Sequence, residues 1–138
     1  MIILSVDYGD ARTGLAVCDK FEMLASPVGV INEKDARLLA EKVKAEAENK
    51  KAEMIIVGLP KNMDGTEGFR AEACKDFANS LAELTGLPVN MQDERLTTVS
   101  AHNILNETNT RGKKRKAVVD AVSAVLILED YLSAKKNK

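Results

Sequence analysis

Ile2-Ile3-Leu4-Ser5-Val6-Asp7-Tyr8-Gly9, then Asp10-Ala11-Arg12, then Thr13-Gly14-Leu15-Ala16-Val17-Cys18-Asp19, is the stretch that decides the fold. Residues 2–8 are apolar and rich in branched side chains, which predicts a buried strand stopped at Gly9. Gly9-Asp10-Ala11-Arg12 has the composition of a turn. Residues 13–19 predict a second strand, so the two should form a hairpin. The first strand ends on Asp7, and an ionised carboxylate at the end of a core element is costly unless a cation or hydrogen bonds compensate it.

Working outward, residues 24–31 predict a third strand, with Pro27 near its start or on a sheet edge. Asn32 is the expected cap of a helix whose apolar stripe is Ala36, Leu39, Ala40, Val43 and Ala47. Residues 54–60 form a continuous apolar run, as a centre strand covered on both faces requires. Asp64 and Glu67 have capping-box spacing. Phe69, Ala73, Phe77 and Leu81 then step along a second helix ending near Gly86. Residues 88–94 predict the next strand. Thr97 or Thr98 should cap a short helix carrying Ala101, Ile104 and Leu105. A basic loop and a last helix over about 116–134 complete the chain. Three meander strands followed by alternating helices and strands predict an α/β chain, with a mixed five-stranded sheet covered on both faces.

The chain has 138 residues, 45% hydrophobic and 30% charged, which predicts one soluble domain over 1–138. It has no apolar run of membrane-spanning length, and its first residues do not read as a signal peptide. Cys18 and Cys74 are too few for a disulfide framework, so a reduced, cytoplasmic protein is expected. His102 is the only histidine. That argues against His-rich zinc chemistry and a Ser-His-Asp triad, and His102 itself reads as a surface helix residue.

Two further acidic elements join Asp7. Asp120 lies inside the apolar Ala117-Val118-Val119-Asp120-Ala121-Val122, and Asp93-Glu94 closes the strand-like 87–92. Singly, each could be a cap or turn former, and the helix macrodipole would favour Asp120 in a first turn. Together they predict a site for a hard divalent cation, Mg²⁺ or Mn²⁺. In open α/β sheets the crevice beyond the strand ends is where ligands bind. If the strands ending in Asp7 and in Asp93-Glu94 run parallel and adjacent, their last acids share an edge. Alternation puts Val89, Met91 and Asp93 on one face and Asn90, Gln92 and Glu94 on the other. The longer arm of Glu94 makes it the preferred ligand, with Asp93 capping or bracing the next turn. The candidate catalytic set is therefore Asp7, Glu94 and Asp120, and the candidate metal set adds Asp93. Divalent ions held this way can promote phosphodiester cleavage without a protein nucleophile.

The net charge is −1, yet Arg111, Lys113, Lys114, Arg115 and Lys116 put five cations into six residues. Such a run is often only a solvated face. Its place directly before the Asp120 segment points instead to a grip on phosphates. Arg12 and Arg95 are further candidate nucleic-acid contacts, and Arg95 could equally brace its acidic neighbours. The loop from Gly58 to Gly65, leading to a helix N-terminus, is a weaker anion-site signal.

These residues together resemble the RuvX (also YqgF) family of proteins similar to Holliday-junction resolvases. The motifs are Asp7-Tyr8-Gly9 with Arg12 and Gly14, Val57-Gly58-Leu59-Pro60 with Asn62-Met63-Asp64-Gly65, Asp93-Glu94-Arg95-Leu96-Thr97-Thr98, Lys113–Lys116, and Asp120. The resemblance covers essentially the whole chain. It implies an RNase H-like fold and a cytoplasmic nuclease processing the 5′ end of precursor 16S ribosomal RNA, or resolving branched DNA. Asp7, Asp93-Glu94 and Asp120 take the places of its acidic site. Related resolvases and ribonucleases H carry an acid at the fourth strand's end or on the helix after the third strand. Here the fourth strand ends in Gly58-Leu59-Pro60, so the middle acid must come from the fifth. The expected partner is structured nucleic acid, with no membrane, for a monomer or weak homodimer. Competing readings are a non-catalytic binding factor in ribosome assembly or transcription, and an actin-like phosphotransferase. The second is disfavoured because this length supplies one lobe only.

Overall fold

Ile3, Leu4, Ser5 and Val6 are all fully buried, so the first strand is covered on both faces. Successive side chains of a strand point to opposite faces. Leu4 and Val6 join one apolar cluster with Leu39, Val43, Phe77 and Leu81. Ile3 joins a second with Ile56, Ala124, Ile127 and Leu128. The sheet is thus sandwiched between helix layers, as residues 54–59 and 2–7 foretell. The computed structural model describes residues 1–59, 68–93 and 112–136, with side chains from 121 onward in the last segment.

The elements are β1 (Ile3–Asp7), β2 (Arg12–Cys18), β3 (Ala25–Asn32), α1 (Ala36–Asn49), β4 (Met54–Leu59), α2 (Phe69–Thr85), β5 (Val89–Asp93) and α3 (Gly112–Lys136). Their sheet order is β3-β2-β1-β4-β5. β1, β2 and β3 form an antiparallel meander, while β4 runs parallel to β1 and β5 parallel to β4. The mixed five-stranded sheet is the one expected. The strands ending in Asp7 and Asp93 are parallel but not adjacent, because β4, apolar on both faces, takes the centre between them. In β3, Leu15 pairs with Gly29 and Ala16 with Pro27, which leaves Val28 as a bulge on the edge strand. Pro27 is tolerated there because an edge strand has one unpaired side.

Asp35, rather than Asn32, caps α1: its carboxylate accepts from the amides of Arg37 and Leu38, whereas Asn32 closes β3 opposite Arg12. Leu39, Ala40, Val43 and Ala47 are buried as expected, and Ala36 is exposed. Helix α2 starts from Gly68 and ends at Gly86, whose φ of 72° is the left-handed conformation glycine adopts freely. Phe77 and Leu81 are buried, but Phe69 is 86% exposed. Four residues turn a helix through about 400°, so a stripe stepping by four drifts off the buried face. Asp64, Glu67, Thr97, Thr98 and His102 lie outside the described residues.

α3 crosses the opposite face of the sheet, antiparallel to β1. The Ser5 hydroxyl donates to the Ala124 carbonyl at 2.6 Å. One end further, the Tyr131 hydroxyl meets the Met54 sulfur at 3.6 Å, on the residue paired with Ile3. Beyond that, Lys135 Nζ reaches Glu22 at 2.8 Å, and the Met1 amino group reaches the same carboxylate at 3.1 Å. The helix begins at Gly112, not near 116, so the basic run Lys113–Lys116 forms its opening turns rather than a loop. Lys and Arg are strong helix formers, which the loop reading overlooked. Cys18 and Cys74 are buried, and neither is joined in a disulfide. Burial pushes the Cys18 thiol up, while the Ile3 amide donates to its sulfur. Among the described residues no helix is long and apolar enough to cross a membrane.

Because α3 docks through Ser5 and an apolar cluster, the two terms should separate on mutation. Ser5→Ala is expected to cost about 1 kcal/mol of stability. Ile127→Ala should cost about 2–5 kcal/mol through the cavity it leaves. Urea denaturation of both variants checks this order.

Candidate functional site

Asp7 ends β1 two residues after Ser5, so it shares the sheet face that α3 covers. It is partly buried and makes an interaction within the fold. On one side it pairs with Gly14 of β2. On the other, the β1–β4 register that matches Val6 with Val57 brings Gly58 level with it. Gly58 in turn pairs with Gln92 of β5. One row of the sheet thus reads Gly14, Asp7, Gly58, Gln92. Both in-plane neighbours of Asp7 lack side chains, which leaves its carboxylate room on that face. β4 separates β1 from β5 by two strand spacings, about 10 Å, and Gly58 places no side chain in that interval.

Asp120 stands four residues, or about 6 Å of helix, before Ala124. Asp7 stands two residues, or about 6.6 Å of strand, beyond Ser5. As helix and strand run antiparallel, the Ser5–Ala124 bond brings the main chain of residue 120 level with that of Asp7. Residue 120 is also the ninth of α3, in its third turn rather than its first. The helix macrodipole fades within the first turn. It therefore does not account for an acid at this position, which removes the macrodipole alternative that the sequence left open.

The remaining candidates divide. Asp93 pairs with Leu59 at the end of β5. It shares the strand face of Val89 and Met91, which pack on the α1/α2 cluster, so its register puts it opposite to Asp7. Arg12 begins β2 at the same sheet edge as Asp7 and has an interaction of its own. Lys113, Lys114, Arg115 and Lys116 belong to α3, in the roughly 12 Å of helix preceding Asp120. Glu94, Arg95 and Arg111 lie outside the described residues. Among the described residues no three carboxylate, histidine or cysteine side chains cluster as a metal site.

Sequence reasoning missed the apparatus that holds the turn after Asp7. A Cβ on Gly9 would lie 1.9 Å from the Arg12 carbonyl oxygen, so only glycine fits this turn. The Gly9 amide donates to the hydroxyl of Thr13, itself fully buried, at 3.2 Å. The Tyr8 ring stacks on Phe77 of α2 with centroids 4.3 Å apart and planes 2° from parallel. Arg70, in the first turn of α2, donates to the Tyr8 carbonyl and pairs with Asp10 at 2.6 Å. Its guanidinium carbon also lies 5.0 Å from the Tyr8 ring centre. The spacing of Arg70 and Phe77, seven residues apart and so on one helix face, was the available signal. A groove of about 710 Å³ between α1 and α2 is bounded by Tyr8 and Phe77 but lies on the face away from Asp7.

The fold is that of the RNase H-like junction resolvases. The chain superposes on Thermus thermophilus RuvC in complex with a Holliday junction substrate with a TM-score of 0.61 at 12% identity, covering 100% of this chain and 97% of that one. It superposes on the fowlpox virus Holliday junction resolvase with a TM-score of 0.58 at 13% identity, covering 97% and 99%. Residues 1–134 match the family described as RuvX, Holliday junction resolvase, and the chain belongs to that family. A relative from Halothermothrix orenii, named as a candidate pre-16S rRNA nuclease, is 44% identical over 96% of this chain and 95% of its own length. A Lactococcus lactis relative of the same name is 42% identical over 99% and 96%.

Gly9→Ala should drive a methyl into the Arg12 carbonyl. It is expected to destabilise the protein by about 2 kcal/mol, a loss that thermal denaturation will register.

Proposed function

We propose that this protein is a divalent-metal-dependent endonuclease of structured nucleic acid, acting in the cytoplasm on the 5′ end of precursor 16S rRNA. One observation carries the reading: the antiparallel docking of α3 on β1, fixed by Ser5 and Ala124, which brings Asp7 and the main chain of Asp120 to one edge of the sheet. The glycines on either side of Asp7 add space for an ion and a phosphate. The names of the relatives supply the RNA substrate.

The chemistry of the donor set fits Mg²⁺ or Mn²⁺, which take oxygen ligands and keep water. Asp7, Asp120 and Glu94 would hold the ion; Asp93 is set aside because its register puts it on the face opposite Asp7. A divalent ion so held supplies charge stabilisation at the scissile phosphate and makes water more acidic. The protein's own part is to fix the carboxylates, and to hold the phosphate backbone through the basic opening turns of α3 and through Arg12, Arg95 and Arg111. Phosphate contacts of that kind carry little sequence information, so recognition would rest on the shape of the nucleic acid. The family description favours a second reading with the same site, resolution of branched DNA.

Asp7→Asn is expected to abolish cleavage of a precursor 16S rRNA fragment in Mg²⁺ while filter binding of that fragment persists. Cleavage at the wild-type rate would end the proposal. A four-way DNA junction assayed in parallel separates the two substrates. Replacing Lys113 and Lys114 with glutamine should flatten the dependence of log affinity on log salt. The expected loss is about 0.7–0.9 in slope per phosphate contact removed.

A further inference from the structure

We infer that Arg70 is a positioning residue for the Asp7 carboxylate, an inference that rests on Asp7 being a metal ligand. The β-ladder stops at Asp7, where it pairs with Gly14. Past that pair, the main-chain path depends on what grips residues 8–10. Arg70 makes three contacts there: a hydrogen bond to the Tyr8 carbonyl, an ion pair with Asp10, and a cation–π contact with the Tyr8 ring. The same ring is stacked on Phe77, two turns further along α2. Helix α2 therefore holds both the main chain and the side chain of the residue directly after Asp7.

The three contacts are not equal. Asp10 is 91% exposed, and a surface ion pair is weakened by solvent and salt. Arg70 is 33% exposed, and its bond to the Tyr8 carbonyl lies in a partly buried position. The carbonyl and the ring, not the Asp10 pair, carry the grip. A planar guanidinium can serve both at once, which a lysine ammonium cannot. Without the guanidinium the Tyr8 carbonyl loses this donor, and among the described residues the peptide after Asp7 is held only through the Tyr8 ring and the Gly9 amide. The Asp7 carboxylate then has to be ordered when an ion binds, and the cost appears as lost metal affinity.

The test is calorimetric titration of Mn²⁺ into the full chain, with cleavage kinetics alongside and melting temperatures recorded for each variant. Arg70→Met is expected to bind Mn²⁺ about tenfold more weakly or worse, as changes to residues that orient metal ligands do. Its kcat should fall by about ten- to a hundredfold, with KM for the nucleic acid little changed. Arg70→Lys should recover part of the Mn²⁺ affinity, and Asp10→Asn should stay within about twofold of wild type. Wild-type Mn²⁺ affinity in folded Arg70→Met overturns the proposal. So does a raised KM with unchanged kcat, which would make Arg70 a substrate contact. If Arg70→Met does not fold, Arg70→Lys decides, and wild-type Mn²⁺ affinity in that variant overturns the proposal equally. Asp7→Asn in the same titration separates the two claims. If it retains wild-type Mn²⁺ binding, the reading of Asp7 fails and this inference with it. If it loses binding while Arg70→Met does not, only the positioning role falls.

Discussion

The hydrogen bond from the Ser5 hydroxyl to the Ala124 carbonyl, set inside an apolar cluster, is the constraint on which the arrangement of this protein turns. A strand and a helix repeat at different rises, so an error of one turn in docking would move residue 120 by about 5.4 Å along the strand. Ile127, Leu128 and Leu132 supply the burial energy that presses α3 to the sheet, but apolar contact alone is poor at choosing between neighbouring registers. A buried hydroxyl that must find an acceptor chooses one. Main chain more than a hundred residues apart in sequence, at Asp7 and at residue 120, is brought to one edge of the sheet by this contact.

The sheet supplies the other half of the site. β4 at the centre separates β1 from β5, and its last residues decide how much space lies between their ends. Gly58 there, with Gly14 on the other side, leaves Asp7 as the side chain that projects from the middle of its row. The turn after Asp7 is held from several directions: by Thr13 through the Gly9 amide, by Phe77 through the Tyr8 ring and by Arg70 through the Tyr8 carbonyl.

Much of this was legible in the chain. The alternation and apolar runs of residues 2–8, 13–19 and 54–60 mark the three central strands within a residue or two, and the α1 stripe names four of its buried residues. What escaped were features set by contacts between distant segments. The adjacency of β4 to both parallel strands is a property of the whole sheet, so Asp7 and Asp93 could not be known to be separated by a strand. Asn32 has the chemistry of a cap, but pairing with Arg12 keeps it in β3 and passes the role to Asp35. The charge of Lys113–Lys116 suggested a loop, while their helix propensity, extended by the docked length of α3, makes them helical. Arg70 and Phe77 share a helix face, but the turn they hold lies 62 residues away in the chain, so their spacing alone did not say what that face grips.

Whether Asp7 and Asp120 act on one ion is measured directly by a double-mutant cycle in Mn²⁺ affinity. Asp7→Asn, Asp120→Asn and the double variant are titrated under one set of conditions. Strong coupling is expected, with the double variant binding no more weakly than the poorer single variant, because the first substitution already dismantles the site. Independent, additive losses, or wild-type affinity in either single variant, would contradict it.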